Sequence, residues 1–261
     1  EDSPGACWPC KTASCSETYN GWNAYSPAEQ GGSGAETTSG ISTAAKNSGN
    51  SSLLVAKVAD STDSCNIEYD WGATPTTIYV RFYLNLSSDW TQFKTRADGN
   101  VHWLFTNSYQ SQTGFRFNIV NHSWWGDCPD NWICVLPQGD GGNNEWWEGT
   151  TPSWTAGVNL ADYIGSWVCL EYKIQISGSN VVLTEYVNGT QTQVVTGAGQ
   201  SGSSHDWIAF IDYENSSSSS QLRYYMDDLV VADSYIGPLS EGDSTSPRKL
   251  NNVTGVRVTL H

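Results

Sequence analysis

The chain has 261 residues, of which 38% are hydrophobic and only 15% charged, enough apolar material for one large domain or two small ones. Its 12 basic and 27 acidic residues give a net charge of −15, which excludes nucleic acid and an anionic membrane as partners, because either needs a basic face. No apolar run approaches the roughly 18 residues a membrane helix needs, so membrane insertion is not expected.

Helical periodicity is nearly absent. Runs of period two, rich in β-branched and aromatic residues, recur between clusters of Gly, Ser, Asn and Asp. In chain order the expected strands are 53–58, 65–71, 78–86, 101–106, 114–120, 132–136, 167–176, 181–187, 191–195, 207–213 and 222–232. Asn188-Gly189 between two of these runs is a strong signal for a two-residue hairpin turn. So many strands with no helical gaps predict an all-β fold, a two-sheet jelly roll of the concanavalin-like β-sandwich type. The low-complexity stretch 215–220 reads as an exposed loop, and from residue 240 the composition shifts to a linker followed by NNVTGVRVTLH. The expected division is a jelly-roll domain at 1–239 and a linker with a tail strand at 240–261, the tail strand offering a route to self-association.

Seven cysteines beside thirteen tryptophans indicate an oxidising, secreted setting, and Glu1 reads as the start of a mature chain whose leader has been removed. Cys128 and Cys134 bracket CPDNWIC as a local bridge, one of Cys7, Cys10 and Cys15 is expected to pair with Cys65, and Cys169 is the expected free thiol. A zinc site at Cys7 and Cys10 lacks a second ligand pair. Asn50, Asn85, Asn121, Asn188, Asn215 and Asn252 head Asn-x-Ser/Thr sequons, which fit a glycoprotein.

Alternation sorts the strand faces. With Ile78, Val80, Phe82 and Leu84 inward, Tyr79, Arg81 and Tyr83 face out; with Trp103 and Phe105 inward, His102 faces out; with Phe115, Phe117 and Ile119 inward, Arg116 and Asn118 face out. If these strands are neighbours, all six outward residues line one concave surface. A second concentration is aromatic: Trp124, Trp125, Trp132, Trp146, Trp147 and Trp154 crowd a loop-rich stretch, interleaved with Asn143, Asn144, Asp127 and Asp130. Indole rings stack on sugar faces, and the amides and acids between them suit hydroxyl groups. Trp103, Trp167 and Trp207 are expected in the core.

The closing run YYMDDLVVADSYIGPL at 224–239 resembles the last strand of concanavalin-like jelly rolls of the glucuronan-lyase and heparin-lyase-like group, and more distantly of laminarinases and lectins. SGNSSLLV at 48–55, IYVRFYLNL at 78–86 and GSWVCLEYKIQI at 165–176 follow in similar order. The resemblance implies a polysaccharide partner and a structural Ca²⁺ held by Glu17, the carbonyl of Gly49 and Asp227, hard oxygen donors that suit that ion. It also implies lyase chemistry by β-elimination: Arg81, Arg116 and Asn118 neutralising a uronate carboxylate, His102 as base, and Tyr79, Tyr83 or Tyr213 as acid. The alginate-lyase signatures R-[ST]-E-L, Q-[IV]-H and Y-F-K-x-G-x-Y are absent. So is the laminarinase pattern E-x-D-x-x-E; Glu145, Glu148, Glu171 and Asp212 do not form the facing pair, roughly 5–9 Å apart, that glycosidases use. The leading expectation is therefore a secreted, polysaccharide-active, lyase-like protein, with a non-catalytic carbohydrate-binding module or a structural, adhesive subunit as alternatives.

Overall fold

The structure is a computed structural model describing residues 16–19, 22–25, 40–50, 52–57, 66–70, 76–95, 100–106, 114–121, 128–140, 157–177, 180–198, 207–214 and 222–239. Its strands are β1 (Ser16–Tyr19), β2 (Trp22–Tyr25), β3 (Gly40–Ser42), β4 (Ser52–Lys57), β5 (Asn66–Asp70), β6 (Thr77–Leu86) and β7 (Asn100–Thr106). They continue with β8 (Gly114–Asn121), β9 (Ile133–Asp140), β10 (Val168–Ser177), β11 (Asn180–Val187), β12 (Thr190–Ala198), β13 (Trp207–Glu214) and β14 (Leu222–Ala232). One seven-stranded sheet runs β1-β2-β5-β13-β7-β8-β9 and the other β12-β11-β10-β6-β14-β4-β3. The protein is thus an all-β, two-sheet jelly-roll sandwich. The short β1, β2 and β3 carry too few residues for a period to show in the sequence.

Alternation builds the core. Val80, Phe82 and Leu84 of β6 and Leu170, Tyr172 and Ile174 of β10 are all 0% exposed and line the inner face of the second sheet. Phe117 of β8 meets them from the first sheet, its ring centroid 4.5 Å from that of Tyr172. Burying a side chain of this size removes apolar area worth about 2–3 kcal/mol. Trp90 is fully buried, at 0%, with its indole N–H donating to the Arg223 carbonyl at 2.8 Å. Trp167, expected in the core, is only half-buried; the side chains of Trp103 and Trp207 lie outside the described set.

The expected Asn-Gly hairpin is present: Asn188 (φ 50°) and Gly189 (φ 81°) join β11 to β12, both left-handed as such a turn requires. The expectation that the strand at 78–86 neighbours those at 101–106 and 114–120 is corrected. β6 pairs with β10 and β14 in the second sheet, whereas β7 and β8 pair in the first. Between β6 and β7 the chain forms two single-turn 3-10 helices, Ser88–Thr91 and Phe93–Thr95, instead of the tight turn a hairpin would need. Tyr79, Arg81 and Tyr83 therefore stand on a different sheet from His102, Arg116 and Asn118.

Candidate functional site

In the first sheet, register brings three of the expected residues into one row. Tyr213 on β13 is opposite His102 on β7, and His102 is opposite Asn118 on β8. Each strand pair bends here: the register shifts between Phe210 and Tyr213 and between His102 and Leu104. An extra residue at such a bulge flips the alternation beyond it. Accordingly Leu104 is the register partner of the core residue Phe117, and Phe105, expected inward, is the partner of Arg116. An imidazole, a phenol and an amide in adjacent register positions are the residue types for proton transfer beside a neutralised carboxylate, and equally for holding sugar hydroxyls. Asn118, expected outward, is 1% exposed, so this part of β8 is covered on both sides.

At the edge of that sheet, Cys128 and Cys134 form the expected disulfide, with Cα atoms 5.9 Å apart and both residues 0% exposed. The turn between them is tight. Trp132 N–H donates to the Pro129 carbonyl at 3.1 Å, Asn131 takes φ 65°, and Pro129, Asp130 and Asn131 are exposed. Trp132 itself is half-buried and packs against the core. The Asn159 side-chain oxygen accepts from the N–H of both Ile133 and Ala161, each at 3.1 Å, so the turn is tied to the 3-10 helix Leu160–Tyr163. Trp124, Trp125, Trp146, Trp147 and Trp154 lie outside the described residues, as do Cys7, Cys10, Cys15, Cys65 and the tail 240–261.

The outer face of the second sheet is not the open groove that alternation suggested. After β14 the chain folds back as a strap, residues 233–239. The N–H groups of Ile236 and Gly237 donate to the two oxygens of Glu171 at 2.9 and 2.8 Å. Leu239 N–H donates to the Tyr83 hydroxyl at 2.7 Å, and the Tyr235 hydroxyl donates to the Gly189 carbonyl at 3.1 Å. Gly189 is needed twice over, for its positive φ and because a Cβ there would come within 2.8 Å of Pro238 Cδ. Beneath the strap Arg81 is 4% exposed, with its guanidinium carbon 5.5 Å from the Tyr83 ring centroid. Arg81 and Glu171 are register partners on β6 and β10. Burial raises the Glu171 carboxyl against the opposing pull of the two strap N–H groups and Arg81. Burial, and next the nearby Cys169, push the Tyr83 hydroxyl up to about 12. Cys169 is a free, buried thiol as expected, pushed up to about 11 by burial. Arg81 and Tyr83 are therefore closed off from a polymeric ligand while the strap is in place, and Tyr79 is half-buried at its margin.

Of the residues expected to hold Ca²⁺, Asp227 is committed to other partners. Asp227 Oδ2 accepts the N–H groups of Asn47 and Ser48 at 2.8 and 3.0 Å, and Oδ1 accepts the Asp228 N–H at 2.8 Å. Asp228 accepts from the Asn47 amide at 3.1 Å and the Ser48 hydroxyl at 2.8 Å. Burial pushes the Asp227 carboxyl up to about 6, the N–H donors opposing it. Gly49 (φ 60°) completes the exposed turn these acids pin, while Glu17 stands on β1 of the other sheet. Donors, not oxygen ligands, surround the two carboxylates, and no three His, Cys, Asp or Glu residues converge among the described residues. This set does not fit a calcium site.

Two sequons are likewise corrected. Asn85 is 8% exposed within β6, and Asn121 is 0% exposed with its amide donating to the Phe93 carbonyl at 2.6 Å; neither has room for a glycan in the folded chain. Asn50 is exposed. Asn188 is exposed too, but its side-chain oxygen accepts the Cys169 N–H at 3.0 Å.

Of the outer-face residues, Lys173, Tyr186 and Tyr235 were missed in the sequence and Glu171 was weighed only as an isolated acid; those on β10 had one legible signal. Cys169, Glu171 and Lys173 alternate with the core residues Leu170, Tyr172 and Ile174, in the same way as Tyr79, Arg81 and Tyr83 on the neighbouring strand.

No protein-family model matches this sequence, and no curated protein sequence does. Among solved structures, one of botulinum neurotoxin type C, whose cell entry is dependent upon interaction with two ganglioside molecules, is similar at 9% identity and TM-score 0.49; the match covers 80% of this chain and 45% of that one. A sialidase is similar at 12% identity and TM-score 0.46, covering 86% of this chain and 17% of that one. The exoplasmic/lumenal domain of VIP36, in a form bound to Ca²⁺ and Man3GlcNAc, is similar at 8% identity and TM-score 0.45, covering 85% of this chain and 88% of that one. The chain spans less than half the length of the first two. These are similarities of strand arrangement, and the fold rests here on the sheet order itself.

Proposed function

We propose that this protein binds carbohydrate without cleaving it, through the first sheet and the disulfide-tied turn that carries Trp132. The observation that supports this most is the division of the expected catalytic set between two sheets, with Arg81 and Tyr83 closed under the strap. An aromatic ring on a rigid, covalently tied turn at the edge of that sheet is what sugar recognition needs and what β-elimination does not require. The buried disulfide fits an extracellular or lumenal setting. Glycan-array and affinity-gel screening with barley β-glucan, xylan and polygalacturonate tests the reading. Wild-type protein should be retained by at least one of these, Trp132→Ala should weaken retention at least tenfold, and absorbance from unsaturated products should not develop.

One observation favours a second reading. The adjacent register positions of Tyr213 and His102 group an acid and a base for a lyase. Under that reading polygalacturonate or another uronate polymer yields unsaturated ends, and His102→Ala abolishes them without abolishing binding.

A further inference from the structure

A half-exposed tyrosine is ordinary on a protein surface; one whose main chain and hydroxyl are both pinned is not. Tyr235 is 47% exposed. The two residues after it are held by the Glu171 carboxylate at 2.9 and 2.8 Å, and its own hydroxyl is bound to Gly189. Its ring centroid lies 4.9 Å from that of Tyr186 on β11, the planes tilted by 49°. Tyr186 is the register partner of Glu171, and Lys173, one row on, is the partner of Tyr79. The Lys173 ammonium lies 6.0 Å from the Tyr79 ring centroid. Burial, and next the nearby Tyr186, raise the Tyr79 hydroxyl above its ordinary value. Three rings from three separate elements, β6, β11 and the strap, thus stand on the outer face of the second sheet, with Lys173 beside the Tyr79 ring.

We propose that Tyr235, Tyr186 and Tyr79, with Lys173, form a second carbohydrate-binding platform, the rings stacking on a pyranose face and Lys173 donating to its hydroxyls. This rests on the reading that the protein binds carbohydrate, and adds a site that faces away from the first. Tyrosines supply rigid, amphipathic contact area at little entropic cost, and a platform ordered before binding has little to lose on binding. A protein partner suits this face less well. Val194, at 52%, and Tyr235 are the exposed large hydrophobic residues among those described, too little apolar surface to seed a protein interface. The acid of the row, Glu171, has both oxygens turned to the strap, so hydroxyl groups meet Lys173 without a free carboxylate competing for it. Two sites on opposite sheets of one rigid domain would bridge separate polysaccharide chains.

The test is affinity electrophoresis of the full chain through gels cast with barley β-glucan, xylan or polygalacturonate, with turbidity of the soluble polymer as a measure of bridging. Tyr186→Ala/Tyr235→Ala should weaken retardation at least fivefold and abolish bridging, Trp132→Ala should abolish bridging by loss of the other site, and Tyr235→Phe, which keeps the ring, should stay within twofold of wild type. Slow labelling of Cys169 by a thiol reagent in the double variant confirms that the strap is still seated. Wild-type retardation in the Tyr186→Ala/Tyr235→Ala variant overturns the platform and leaves the Trp132 site standing. Loss in that variant with none in Trp132→Ala keeps the platform and removes the first-sheet site. A wild-type protein retarded by none of the three polymers overturns both.

Discussion

Gly157 lies so close to Glu185 that no side chain fits between them: a Cβ on Gly157 would overlap the Glu185 carboxylate and press on Gln193. Glu185 is 0% exposed and accepts from the Thr192 hydroxyl at 2.7 Å, the Gln193 amide at 3.3 Å and the Tyr172 hydroxyl at 3.4 Å. These donors compensate part of the cost of enclosing an acid. Gly157→Ala should therefore destabilise the fold by about 1–3 kcal/mol through overpacking. A urea titration that returns a wild-type midpoint for this variant would show that the segment can move aside.

Arg223 of β14 and Asp89 of the 3-10 helix Ser88–Thr91 form a two-pronged ion pair, at 2.6 and 3.0 Å. The Arg223 guanidinium, ahead of the Ser87 hydroxyl, holds the Asp89 carboxyl below its ordinary value. A lowered acid contributes stability above its unfolded pKa, about 3.9, and loses it as the pH falls through the folded value. Asp89→Asn should cost on the order of 1 kcal/mol at pH 7, and the gap from wild type should close progressively below about pH 4. Denaturation midpoints measured from pH 7 to pH 3 give the comparison, and a gap constant with pH would exclude the ion pair as its source.

The free thiol reports on the strap. Cys169 is 2% exposed and its pKa is raised to about 11, so at pH 8 it should react with a thiol reagent at least tenfold more slowly than in the denatured chain. Glu171→Ala removes the acceptor of both strap N–H groups and should raise that rate several-fold, with Cys169→Ser as the blank for other cysteines. An unchanged rate in Glu171→Ala would mean that Tyr83 and Gly189 hold the strap unaided.

Replacing Cys128 and Cys134 together by Ser should cost about 2–4 kcal/mol, the ordinary contribution of a disulfide. Because the bridge also fixes Trp132, carbohydrate retention should fall more than it does for a destabilising core variant of equal cost, such as Val135→Ala. Equal losses would show that Trp132 is positioned by core packing alone.

Much of this fold was legible because period two is a local property. The strand at 78–86 announces its two faces, and the core and outer sets of β6 fall where alternation puts them. Cys128–Cys134, the free Cys169 and the Asn188-Gly189 turn were readable for the same reason, since each depends on a few neighbouring residues. Which strands pair is a long-range property. Nothing near Arg81 indicates that its register partner is Glu171, or that residues 236–239, far along the chain, will cover both. The bulge beside His102 was equally silent: Trp103 has good strand propensity, so no glycine or proline marked the change of face.

The strap also decides how the domain meets mechanical load. A pull on the chain beyond residue 239 reaches the bond from Leu239 to Tyr83 first and the pair held by Glu171 next. Only after these and the Tyr235–Gly189 bond give way does it reach β14, which lies between β6 and β4 within its sheet. The weak, replaceable contacts of the strap take such a load before the sandwich does.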